Sequence, residues 1–237
     1  MKASIIIPSA GNAARLGPCL ESLARQTVRN GVEVLVVLDG EVGCHSQAVQ
    51  LLRARRDWPW PIHWFMLGAQ RGTYAACNRG AAEAHGRNLI FLDDDMIAAP
   101  DLIATHLELL GQNPDTVIEG AIKTRCVGYS GVYRFSIENF WNRRHQRLTR
   151  EPVVNFEDCY SGNLAMANEI FRGVSGFDES FPRGGDLELG LRLERAHVPM
   201  LLRSRRAGGS AIRQEPTPED ARPRDGGREQ GHNMAEV

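Results

Sequence analysis

No run of apolar residues in the 237-residue sequence approaches the roughly 20 residues that a membrane-spanning helix needs. Neither sign of charge dominates. The chain has 28 Lys and Arg against 29 Asp and Glu, a net charge of −1, so bulk electrostatics favour neither nucleic acid nor an anionic membrane as partner. No CxxC pair occurs. The five cysteines (Cys19, Cys44, Cys77, Cys126 and Cys159) are scattered, which argues against a zinc site or a disulfide frame. They are expected to be isolated thiols in a reducing, cytoplasmic compartment. The N-terminal MKASIIIPSAG has one lysine and a very short apolar run before Pro8, too little for a signal peptide. No aromatic residue follows Phe181, and from Arg203 the composition turns to Gly, Pro and charge. Such a segment buries little apolar area, so residues 203–237 are expected to wrap over the domain or to be disordered. There is no internal repeat.

What is present is an ordinary apolar content, 42%, enough for one large α/β domain. The segments ASIIIPS, VEVLVVLDG, IHWFML and NLIFLDDD are short, apolar and rich in β-branched residues. Stretches of helical period separate them. Ala14 to Gln26 places Leu16, Cys19, Leu20 and Leu23 on one side, and Thr73 to His85 is alanine-rich with Thr73 as N-cap. This alternation predicts an open, mostly parallel sheet with helices on both faces. After Pro114 the pattern loosens. TVIEGAIKT reads as one strand and DLELGLRLERAHV as a helix whose apolar face is either Leu187 and Leu191 or Leu189 and Leu193. YRFSIENFWNRRHQR is aromatic and basic without clear period; it suits an acceptor or lid segment, or a core patch at Phe140 and Trp141 with solvated arginines.

Open parallel sheets bind ligands beyond the carboxyl ends of their strands. Several polar stretches fall there: PSAGNAARLG, LDGE, GAQRGTYAACNRG and LDDDM. In the last, an apolar strand runs into three carboxylates, Asp93, Asp94 and Asp95, which repel one another unless a cation joins them. Asp93 and Asp95 point to one side of an extended chain. Their hard oxygens suit Mg²⁺ or Mn²⁺. A solvated loop capping the next helix is the plainer reading. Asp39 ends the second strand as a base or ribose acceptor, or as an Asp-Gly turn. Asn78 and Arg79 reach a phosphate or base, or form the wet side of a helix. Gly72 allows close backbone approach, or supplies a positive φ. Asp186 follows Gly184 and Gly185 at a helix start. It is either a cap favoured by the helix dipole or a general base on a flexible hinge. Glu188 is the alternative base, or a partner for Arg192 four residues on. His145, His197 and His232 read as structural or exposed.

These motifs, in order, resemble the family 2 glycosyltransferases, which have the GT-A fold, from about Ala3 to about Leu202. SIIIPSAGN matches the family's opening strand, where Pro8, Ser9 and Asn12 fit. VEVLVVLDG matches the strand that ends in a base-binding aspartate, here Asp39. GTYAACNRGAAEAHGRNLIFLDDDM matches the long central motif that closes on the metal-binding DxD. SGNLAMANEIFRGVSGFDESFPRGGDLELGLRL matches the acceptor-side motif. The resemblance implies a donor half of about 1–100 and an acceptor half of about 101–202. It also implies transfer from a nucleotide-sugar, a UDP-sugar first of all, to a glycan, lipid or small-molecule hydroxyl, with inversion. On that reading Pro8, Ser9, Asn12, Asp39, Gly72, Asn78, Asp93 and Asp94 bind the donor. Asp95, with Asp93, holds Mn²⁺ or Mg²⁺, and Asp186 is the base. A homo-oligomer and a peripheral membrane contact stay open.

Three features depart from the family pattern. Gly185 stands where a Glu usually precedes the base, AGGSAIRQEP lacks the usual late His ligand, and relatives often continue further. Two rivals follow. PSAGNAARLGP resembles the glycine-rich loop of sugar nucleotidyltransferases, but Ala13 replaces the second glycine and no lysine follows in the next helix. The other rival is a degenerate homologue that binds nucleotide without turnover.

Overall fold

The computed structural model describes residues 1–40, 46–125, 131–150, 155–203 and 211–214. Its main sheet is built around β1 (Ala3–Ser9), every residue of which is buried. β2 (Val32–Asp39) pairs with β1 in parallel on one side, and β3 (Ile62–Leu67) extends the sheet beyond β2. β4 (Asn88–Leu92) pairs with β1 in parallel on the other side. Next comes β8 (Asn163–Ala167), antiparallel to both β4 and β6 (Val117–Gly120), and β9 (Met200–Arg203) closes the order β3-β2-β1-β4-β8-β6-β9. β8 is thus the one reversed strand of the seven. A small second sheet has β10 (Ala211–Gln214) between β5 (Met96–Ala98) and β7 (Ile122–Arg125).

The apolar runs make this sheet because both of its faces are covered. Successive side chains of a strand point to opposite faces. Ile5, Ile7, Ile90 and Leu92 therefore pack with Leu16, Leu20 and Leu23 of α1 (Ala13–Ala24) and with Leu102 and Ile103 of α4 (Leu102–Gln112). Ile6, Leu89 and Phe91 face the other way. They meet Cys77 of α3 (Thr73–Glu83), Phe171 of α6 (Asn168–Gly173), Phe177, and Leu189 and Leu193 of α7 (Gly185–Arg195). On α7 the buried pair is Leu189 and Leu193, while Leu187 is 38% exposed, which settles the two apolar faces the sequence left open. α2 (Gln47–Ala54) lies between β2 and β3.

Some local expectations need correction. The N-cap of α3 is Gly72, at φ 94°, and not Thr73, because the incoming chain takes a positive φ there. TVIEGAIKT is two strands, β6 in the main sheet and β7 in the small one, parted at Ala121. The segment without clear period is the 20-residue helix α5 (Gly131–Arg150). Its inward side carries Arg144 and half-buried Trp141, while Phe135 and Phe140 face out, so no apolar stripe marks it in the sequence. Beyond Arg203, the described part is β10, paired within the domain. Cys44, Cys126, His232 and the side chain of His145 lie outside what is described.

Candidate active site

β1 has β2 on one side and β4 on the other, so the sheet order turns between β1 and β4 and their carboxyl ends part into a crevice. A cleft of about 950 Å³ opens there. Pro8, Ser9, Asn12, Asp39, Gly72, Asp93, Asp94, Asp95 and Asp186 all line it. Residues distant in sequence are brought to one rim.

Asn78 is the exception. It lies outside the cleft lining, and its side chain is spent on the loop after α6. Its amide donates to the Phe177 carbonyl at 2.8 Å and to Glu179 Oε1 at 3.0 Å, and its Oδ1 accepts from the Phe177 N–H at 2.9 Å. Three bonds saturate most of what an amide can make. Asn78 thus ties α3 to the loop that carries Phe177 and Glu179. Its neighbour Arg79 pairs with Glu83 on the same helix and lies over Phe65.

The base of the cleft is tied by short polar contacts. After Leu92 the chain turns at Asp93–Met96, with the Met96 N–H donating to the Asp93 carbonyl at 3.2 Å. The Asp93 N–H donates to the Gly162 carbonyl at 3.3 Å, which ties this turn to the entry of β8. Ser9 Oγ donates to Asp94 Oδ2 at 2.5 Å and accepts the Gly11 N–H at 3.1 Å. Asn12 caps α1 by accepting the Ala14 N–H at 3.0 Å. The carboxylate of Asp39 accepts the N–H groups of Arg71 and Gly72 at 2.7 and 2.9 Å, so it fixes the loop before α3. Arg71 in turn bridges to Glu179 at 2.6 Å.

Asp186 stands in the first turn of α7. Burial raises its carboxyl above the usual range, and the N–H of Leu187, the Tyr74 hydroxyl and the N–H of Ser161 pull it part of the way back. Glu188 is bound to Arg192 by two contacts of 2.7 and 2.6 Å, which is its structural reading. Gly184 is left-handed at φ 75°, but Gly185 is no hinge. It is buried, and a Cβ there would lie 2.6 Å from Tyr74 Cε2. Beneath the aspartates lie two buried thiols. Burial first, and then the nearby carboxylates, push Cys19 and Cys77 well above the usual thiol range, so both stay protonated and inert.

Sequence reasoning passed over Tyr74, Arg15, Arg183, Tyr160 and Gly162, all of which line the cleft. Tyr74 has the clearest signal in retrospect, a large ring inside the alanine-rich run TYAACNRGAA.

Among the described residues, the cleft lining contains five aspartates (Asp39, Asp93, Asp94, Asp95, Asp186) against two arginines (Arg15, Arg183) and no histidine. All the acidic donors are hard carboxylate oxygens, which fit Mg²⁺ or Mn²⁺ better than a softer metal. Among the described residues no three His, Cys, Asp or Glu side chains form a ready-made metal group.

The family model for glycosyl transferase family 2 matches residues 4–172. The chain belongs to glycosyl transferase family 2. A validoxylamine A glucosyltransferase from Streptomyces hygroscopicus is 29% identical over 246 residues, spanning 91% of this chain and 56% of its own length. An uncharacterized glycosyltransferase, YfnE, from Bacillus subtilis is 29% identical over 150 residues, 63% of this chain and 36% of its own. The chain thus spans about a third to just over half of these relatives. Among solved structures, Staphylococcus aureus TarS 1–349 in complex with UDP-GlcNAc aligns over 93% of this chain and 60% of its own with a TM-score of 0.69 at 17% identity. A mannosyltransferase from Pyrobaculum calidifontis in complex with GDP-Man and Mn²⁺ gives 0.68 at 16% identity, over 92% of this chain and 58% of its own. At such identities the likeness is one of fold, a GT-A type α/β domain. No helix among the described residues is long and apolar enough to cross a membrane.

Proposed function

We propose that this family 2 chain moves a sugar from a nucleoside-diphosphate sugar to an acceptor hydroxyl with inversion at the anomeric carbon. The observation that carries the reading is the charge of the cleft: among the described residues, five aspartates and two arginines gather where the sheet order turns. An anionic diphosphate does not enter such a site alone. The relatives named as glycosyltransferases, and the fold neighbours holding UDP-GlcNAc or GDP-Man with Mn²⁺, support a nucleotide-sugar donor.

On this reading Asp39 receives the base. Its oxygens already hold the Arg71 and Gly72 N–H groups, and each keeps a further lone pair for a base N–H. Pro8, Asn12 and Gly72 wall the nucleotide. Ser9 orients Asp94 through its short bond, and Asp93 or Asp94 takes the ribose hydroxyls. Asp95, with Asp93, would hold Mn²⁺ or Mg²⁺, which when bound supplies positive charge to the departing diphosphate. Asp186 accepts the acceptor's hydroxyl proton as that oxygen attacks the anomeric carbon. Its raised affinity for protons suits a base working closer to neutral pH. The acceptor is a glycan, a lipid or a small molecule, and the working compartment is the cytoplasm.

A thermal-shift panel of UDP, GDP and their sugars, with and without Mn²⁺, tests the reading. The expected result is a shift for diphosphates that grows with Mn²⁺, followed by transfer in an acceptor screen. No shift with any nucleotide would contradict it. Pyrophosphate release from a nucleoside triphosphate and a sugar phosphate would mark a nucleotidyltransferase instead. Tight nucleotide binding without turnover would mark a binding homologue.

A further inference from the structure

We propose that Tyr74 is a positioning residue for Asp186, holding the reacting carboxylate in place across the boundary between the donor and acceptor sides of the cleft. The inference rests on the assignment of Asp186 as base.

The geometry has three parts. Tyr74 Oη donates to Asp186 Oδ1 at 3.3 Å, linking the first turn of α3 to the first turn of α7. That length is long for a hydroxyl on a carboxylate, so the contact fixes direction more than it adds energy, and such bonds tighten once a site is occupied. Secondly, the ring has no freedom to leave. It is buried, stacks on Phe177 with centroids 5.2 Å apart, and lies against Gly185 so closely that a Cβ there would meet three of its carbons within 2.9 Å. The missing side chain at position 185 is what lets the ring rest on α7. Thirdly, Tyr74 lies two residues beyond Gly72, whose N–H is bonded to Asp39. One short segment thus touches the proposed base-binding carboxylate at one end and the proton-accepting carboxylate at the other.

Charge supports the link in both directions. The Tyr74 hydroxyl is pushed up to about 12, by burial first and by the charge of Asp186 second, so it is always a donor at working pH. Other titratable groups facing Asp186 are Cys77 on α3, Glu119 on β6, and Cys159 and Tyr160 before β8. Each of the four is raised by burial first, and none is a cation that could replace the hydroxyl.

Tyr74→Phe keeps the ring and its packing and removes only the donor, so it separates positioning from core filling. The expected result is an unchanged melting temperature and unchanged nucleoside-diphosphate binding, with kcat lowered at least about 10-fold at constant donor KM. The acidic limb of the pH–rate profile should move to higher pH, because ionised Asp186 has lost a donor. The ¹³C carboxyl titration of Asp186, read by NMR, should move the same way. Gly185→Ala, which displaces the ring, should reproduce the titration shift, and Gly185→Ala combined with Tyr74→Leu should fold without recovering the wild-type titration. Wild-type kcat or an unmoved Asp186 titration in Tyr74→Phe would overturn the proposal. If the wild-type chain transfers no sugar, a moved titration still upholds the hold on Asp186 while the transfer reading falls.

Discussion

Across β1, β2 and β4 the sheet is assembled by apolar burial: Ile5, Ile6, Ile7, Val34, Val36, Ile90 and Phe91 are all within 1% of full burial. Across β8, β6 and α5 apolar burial continues, with Val117, Ile118, Leu164 and Met166 fully buried, and a buried charge network is added to it. Arg144, 9% exposed, donates to Glu119 at 3.2 Å and to the Asp158 carbonyl at 2.6 Å, and lies over the rings of Tyr160 and Trp141. Arg147 pairs with the same Asp158, whose residue is buried in a one-turn 3-10 helix, Phe156–Asp158. His106 and Asn163 form a further buried pair, 2.9 Å apart. Small apolar changes among β1, β2 and β4 can therefore be absorbed by repacking, whereas around β8, β6 and α5 the loss of a charged partner such as Arg144 leaves a buried carboxylate poorly satisfied.

The largest expected effect breaks that contrast at its centre. Arg144→Ala removes the arginine partner of buried Glu119 and leaves Asp158 with Arg147, at a cost of about 3–5 kcal/mol. Chemical denaturation should show it, with the loss shrinking as acid protonates Glu119, whose carboxyl burial already raises. A conservative core change on β1, Ile5→Val, should cost only about 1 kcal/mol.

Next is the pH response of the region around β8 and α4. Burial lowers His106 from its ordinary value to about 4, against the bond to Asn163, so the fold requires the neutral ring. Its folded value lies below its unfolded one, so stability is intact above about pH 6.5 and falls as pH drops towards 4. The loss amounts to about 3 kcal/mol at most. His106→Gln should flatten the stability curve in that window, as read by melting temperature against pH.

Smaller again is Asn78→Ala, which frees the Phe177–Glu179 loop and leaves the Phe177 N–H and carbonyl without their partners. About 1–3 kcal/mol of stability should go, and sugar transfer should suffer more than nucleotide binding, since the loop leads into Asp186. Asp186→Asn sharpens the comparison in the opposite direction. Transfer should fall about 100-fold or more while nucleotide binding persists. Stability should rise slightly at neutral pH. Asp186 has a raised folded value, so its ionised form costs stability above that value, and the cost vanishes below the ordinary carboxylate range.

The same contrast explains what the sequence disclosed. Strands such as SIIIPS and NLIFL carry their burial in apolar residues, so the sheet, its helices and the aspartates at its carboxyl edge were readable in advance. That Asp39, Asp93–Asp95 and Asp186 line one cleft could be anticipated because carboxylates at strand and helix ends stand out against apolar runs. α5 escaped because its inward side holds an arginine and an aromatic residue, a pattern that hydrophobic period does not register. The bonds of Asn78 to Phe177 were not legible, because an amide on a helix after a glycine loop looks the same in sequence whether it faces ligand or a loop backbone. Tyr74 was missed because its role depends on Gly185, more than a hundred positions away, leaving room for its ring.

The central claim is that the aspartates after β4 hold a divalent cation against a donor's diphosphate. Anomalous diffraction at the manganese edge, from crystals grown with a nucleoside diphosphate and Mn²⁺, addresses it directly. The account predicts a single peak between Asp93–Asp95 and the diphosphate oxygens, lost in Asp95→Ala. A nucleotide seated in the cleft with no metal at those aspartates, or a metal bound elsewhere, would contradict it.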